Sequence, residues 1–118
     1  MIFGRWKAST DLCRLFSRFN KKFFDGKLVG EIRVGWRDPI IKGHAGELIP
    51  PIDGKPAIIL LNPKLKEINA QKYAMSTLLH EMAHFHLWVQ GKSQKTHGPY
   101  FQNEMKRLAD IGAFKDVW

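Results

Sequence analysis

Apolar residues recur along this chain with two different periods, and the changes of period mark its elements. Leu12, Leu15, Phe16, Phe19 and Phe23 return every three or four residues, predicting an amphipathic helix over residues 9–24 with Ser9, Thr10 or Asp11 as its cap. Asp25-Gly26 turns the chain. Ile32, Val34 and Trp36 then alternate with Glu31, Arg33 and Gly35, the pattern of a half-buried strand, and Asp38-Pro39 breaks it. "IIKGHAGELI", residues 40–49, predicts a second, irregular strand carrying His44. The turn "PPIDGKP" leads into "AIILL" at 57–61, a short apolar run that predicts a buried strand ended by Asn62-Pro63.

From about Asn69, an N-cap residue, to Val89 runs the longest expected helix. Tyr73, Leu78, Leu79, Met82, Phe85, Leu87 and Trp88 cover nearly all of its sides, and a helix apolar all round is a buried one. Gly91 releases it into the polar loop "GKSQKT". Pro99 starts a last helix whose inward face is Phe101, Met105, Leu108 and Ile111. The order predicts an α+β fold: an N-terminal helix, a small, mostly antiparallel sheet of about three strands, then two helices. A chain of 118 residues suffices for one such core, so a single domain over 1–118 is expected, as a monomer.

Composition narrows the setting. The single cysteine, Cys13, excludes an internal disulfide framework and a multi-cysteine zinc ribbon. It falls on the apolar face of the first helix and is expected to act as a small buried hydrophobe. The N-terminal residues "MIFGRWKASTD" carry no apolar run of signal-peptide length, and no stretch is long enough to span a membrane. An intracellular location is the expectation: cytoplasm, or nucleus or nucleoid if the protein meets DNA. A net charge of +8 and a pI near 9.8 favour acidic partners, of which nucleic acid is the commonest. With no long basic tail, such contacts would come from the folded surface. Candidates are Trp36 and Arg37, for stacking on bases, and the loop lysines Lys92 and Lys95; Trp6 is a further aromatic.

The chemistry concentrates in "LLHEMAHFHLW", residues 78–88. Successive helical residues turn by about 100°, so His80 and His84 lie one turn apart on one face, where a single tetrahedral ion can take both. Glu81 stands beside the pair and can reach a water at that ion, the arrangement of the HExxH metalloprotease signature. Two imidazoles and a carboxylate on a buried helix would be costly without such a use. His86 lies about 200° around the axis from His84 and cannot join it; a core or partly exposed side chain is expected there. A catalytic zinc wants a third protein ligand. Leu87 and Gln90 hold the places where the metzincin pattern needs glycine and histidine, which excludes that class. His97 and Glu104 remain. They are seven residues apart, about 10 Å along a helix, so both cannot bind one ion.

"TLLHEMAHFHLW" followed by "KTHGPYF" resembles the SprT-like metalloprotease family, in which HExxH precedes a basic loop and then His-Gly with an aromatic residue shortly after. "LCRLFSRFNKKFFDGKL" is similar to that family's opening helix, "IRVGW" to its first strand, "GHAGEL" to its Ala-Gly segment and "IILLNPKL" to the strand before its zinc helix. The resemblance covers roughly residues 9–112. It implies one Zn2+ held by His80, His84 and His97, with Glu81 as general base and Glu104 as a surface carboxylate. It also implies a zinc endopeptidase that cleaves DNA-associated or DNA-crosslinked proteins, with single-stranded or damaged DNA as partner. The cysteine ribbon or recruitment motifs that follow the protease domain in many members have no counterpart before Trp118. Tyr100 and His44 are candidates for a transition-state donor or a cleft wall, against packing and plain surface exposure respectively. Two other readings stand beside the protease: a DNA-binding module with a structural zinc, and a zinc hydrolase of a non-protein substrate.

Overall fold

The computed structural model describes residues 10–38, 43–66, 71–92 and 97–115. Helix α1 (Thr10–Phe23) buries Leu12, Phe16, Phe19 and Phe23, the three-and-four stripe of the sequence, while Arg14, Ser17, Arg18 and Lys21 face solvent. Its exit is a tight turn with positive φ at Asp25 and Gly26, and the amide of Gly26 donates to the Asn20 carbonyl at 2.9 Å. The Asn20 side chain then pins the following loop, donating to the Leu28 carbonyl and accepting from its amide.

Three strands follow: β1 (Ile32–Trp36), β2 (Gly46–Ile49) and β3 (Ala57–Leu61). The sheet order is β1-β3-β2, so β3 is central and all five of its residues are buried. That is why "AIILL" shows no polar alternation: both faces are covered. β2 pairs antiparallel with β3, Leu48 opposite Ile59, and β1 pairs parallel with it, Val34 opposite Ile59. The sheet is therefore mixed, where a mostly antiparallel one was expected. The cause is the insertion of β3 between the two earlier strands. A parallel neighbour needs a crossover connection, and here the chain that forms β2 is that crossover.

A 3-10 turn over Pro63–Lys66 leads toward α2 (Gln71–Val89). The expected cap Asn69 lies outside the described residues, as do Trp6, Lys95 and the first part of the 40–49 segment. Leu78, Leu79, Met82, Ala83, Phe85 and Leu87 of α2 are all buried, the all-round burial its composition predicts. Helix α3 (Pro99–Asp110) starts with proline in its first turn, behind Gly98. It buries Phe101, Glu104 and Leu108, with Met105 half-buried. Ile111, expected on that face, is exposed, because the helix ends before it and Gly112 turns the chain so that Ala113 and Phe114 pack inward instead. Cys13 is half-buried, its thiol 3.8 Å from the Val34 carbonyl. No helix among the described residues is long and apolar enough to cross a membrane.

Candidate metal centre

The one-turn spacing of α2 sets the His80 and His84 rings with centroids 5.0 Å apart. Past the loop, residues 97 and 98 deliver the His97 ring to 5.0 Å from His80 and 5.2 Å from His84. One nitrogen from each imidazole lies within 4.8 Å of the other two. The three histidines are thus positioned to bind a metal. His80 and His84 are half-buried and His97 is exposed, so the cluster opens to solvent on the side that α3 supplies.

Phe101 forms the floor. Its ring stacks on His84 at 4.4 Å and approaches His80 at 4.9 Å and His97 at 4.6 Å. The α3 start is fixed by Gln102, whose amide side chain donates to the His97 carbonyl at 3.2 Å.

Electrostatics suit a cation. Burial, and then the neighbouring imidazoles, push His80 and His84 down to about 4, so at neutral pH both present lone pairs with no proton competing for them. Three neutral-capable imidazoles and no carboxylate among the donors match the set that zinc and similar divalent ions prefer, with a position left open. Glu81, 7% exposed, is pushed up to about 7, first by burial and then by the charge of Glu47 on β2. β2 comes this near because residue 46 is glycine. A Cβ there would stand 2.7 Å from Thr77 Cγ2, 3.2 Å from the Leu60 carbonyl and 3.3 Å from Glu81 Cγ. Glycine inside a strand is a mark of such close backbone approach.

The remaining candidates disperse. Tyr100 is exposed, with the Lys92 ammonium 5.5 Å from its ring centre. His44 is exposed, and its carbonyl accepts from the Asn62 amide side chain. Trp36, half-buried at the end of β1, packs against the core, and the Arg37 amide donates to the Leu61 carbonyl. Glu104 corrects its expectation. It is no surface carboxylate but a buried one, 6% exposed, hydrogen-bonded to His86 and gripped by Arg107. The burial holds because both partners are present, and sequence spacing shows neither the inward turn nor the partner 18 residues away.

The SprT-like family profile matches residues 12–116. The chain belongs to the SprT-like family. Among its relatives are the DNA-dependent metalloprotease SPRTN of Danio rerio, 36% identical over 100 residues, and that of Homo sapiens, 35% identical over 106 residues. These alignments cover 83% and 86% of this chain but only 15% and 21% of the relatives. The DNA-dependent metalloprotease dvc-1 of Caenorhabditis elegans is 31% identical over 105 residues, covering 86% of this chain and 28% of its own length. This SprT-like chain thus spans between about a seventh and a quarter of the curated relatives it matches.

Proposed function

We propose that this SprT-like chain is a zinc-dependent endopeptidase acting on DNA-associated or DNA-crosslinked proteins. The observation that carries the reading is the arrival of His97 beside His80 and His84, with Glu81 on the same helix. A divalent ion held by the three histidines would acidify water and polarise a scissile carbonyl as a Lewis acid. Glu81 is the general base: its carboxylate takes a proton from the attacking water, and the resulting acid passes that proton to the leaving amine nitrogen. Burial and the neighbouring Glu47 both raise the Glu81 carboxyl, which favours its role as a proton carrier. β2, at one edge of the sheet and against α2, offers an extended substrate an edge to pair with. Three histidines, an open position and an adjacent carboxylate argue for catalysis over a structural zinc, which would be closed by four protein ligands.

DNA enters through charge. The chain carries +8, and Arg14, Arg18 and Lys21 form an exposed stripe on α1 with no ion pair among the described residues. Such a stripe suits a phosphate backbone, and the relatives' names specify DNA dependence. The test is metal content together with cleavage of a protein substrate, with and without single-stranded DNA. We expect one zinc per chain, bound far more weakly in His97→Ala, and cleavage stimulated by DNA. A metal-replete sample with no ion on residues 80, 84 and 97 would overturn the enzyme. Cleavage indifferent to DNA would remove only the DNA-associated substrate.

A further inference from the structure

His86 has no place in the metal cluster, yet it is one of the most elaborately bound side chains in the molecule. It is 5% exposed and points away from His84. Its Nδ1–H donates to Glu104 Oε2, which leaves Nε2 to accept from the Gln90 amide at 3.1 Å. Arg107 closes a fork on the same carboxylate, Nε to Oε1 at 2.8 Å and Nη2 to Oε2 at 3.0 Å. Its remaining arm donates to the carbonyl of Phe23, the last residue of α1, at 2.8 Å. Phe24 stands between, edge-on to the His86 ring and under the Arg107 guanidinium. Three helices are therefore joined through Glu104 and Arg107.

The consequence is geometric. Helix α3 touches α2 on two flanks: Phe101 lies against His80 and His84 on one, and Glu104 holds His86 on the other. His97 enters directly before α3, about 10 Å or two turns from Glu104. Apolar contacts alone permit a helix to slide or roll; the directional bonds from Glu104 to His86 on α2 and from Arg107 to the Phe23 carbonyl of α1 do not. The fork within α3 holds the Glu104 carboxylate in place to make the first of them. We propose that His86, Glu104 and Arg107 are positioning residues that fix α3 on α2 and so deliver His97 to the metal. This rests on the metal reading of the three histidines.

The test is zinc affinity of the full chain, measured by competition with a chromophoric chelator, under conditions where circular dichroism shows each metal-free variant folded. Glu104→Gln offers one acceptor oxygen to donors that now use two, and should weaken zinc binding about tenfold, a loss of about 1.4 kcal/mol. Leu12→Ala, a core truncation at the far end of α1, should lower stability and leave zinc affinity unchanged. In a His97→Ala background, where only His80 and His84 bind, Glu104→Gln should produce no further loss. If Glu104→Gln does not fold, Arg107→Lys, on a partly exposed side chain, carries the same comparison. Parent-like affinity in the folded variant overturns the proposal; so does an equal loss with and without His97, or the same loss in Leu12→Ala. If the parent itself binds no zinc, the metal reading and this one fall together; if parent and variants bind alike, only this one falls.

Discussion

Two faces of one helix bear histidines two residues apart, and they have come to opposite ends. His84, with His80, turns toward a solvent-open cluster where burial strips it of its proton and, among the described residues, no carboxylate joins the cluster. His86 turns into the interior and is answered at once by Glu104, Gln90 and, through the carboxylate, Arg107. Residue type does not decide between a metal ligand and a structural strut. The partner does: unprotonated imidazoles gathered around a gap can bind a cation, whereas an imidazole saturated with hydrogen bonds cannot. The α3 helix serves both faces, Phe101 and the preceding His97 for one, Glu104 and Arg107 for the other.

Substitutions on each face should break this contrast in different observables. The largest effect belongs to Glu81→Gln, which should cut proteolysis by about 10²–10⁴-fold while leaving zinc content intact; retained cleavage would remove Glu81 from the mechanism. On the interior face, Glu104→Ala strands His86 and Arg107, and should cost about 3–5 kcal/mol in urea unfolding, toward the lower end because Arg107 is partly exposed. Gly46→Ala should cost about 1–3 kcal/mol by overpacking α2 against β2, and should also depress activity by displacing Thr77 and Glu81. Activity unchanged in that variant would show that β2 does not constrain Glu81.

The smallest effect is an acid titration of the metal-free protein, followed as the urea midpoint. His80 and His84 sit near 4 when folded and near 6.5 when unfolded, so the unfolded chain takes protons first and stability falls as pH drops between those values. Glu81 acts in the opposite sense: raised to about 7, it takes its proton in the folded state and offsets part of that loss. Glu104, held down to about 2 despite its burial by its hydrogen bonds to His86 and Arg107, contributes stability above 4.5 that disappears as pH falls toward 2. The expected curve declines between 6.5 and 4 and continues down toward 2, with the upper limb steeper in Glu81→Gln. A flat lower limb would mean that Glu104 is not ionised in the folded protein.

Much of this was legible in the residues. Stripes at three and four gave α1, an unbroken apolar run gave β3, and an all-round apolar helix gave α2, because each pattern reports which faces leave water. The His80–His84 pair was legible for the same local reason, being one turn of one helix. What lay beyond reach was non-local. His97 and Glu104 were equal candidates by spacing. The fold separates them by turning one toward the pair and the other toward His86, a choice set by tertiary contacts that no window of sequence contains. The parallel pairing of β1 was hidden likewise, since strand order is decided by how β3 inserts and not by the composition of either neighbour.

The bond from Arg107 to the Phe23 carbonyl joins points 84 positions apart, and translation visits them in order. A nascent chain can carry all three imidazoles clear of the ribosome while the arginine that fastens the last helix to the first is still inside it. Such long-separated closure is a slow step in folding, so the three histidines would be held together late, after α1 has waited for α3.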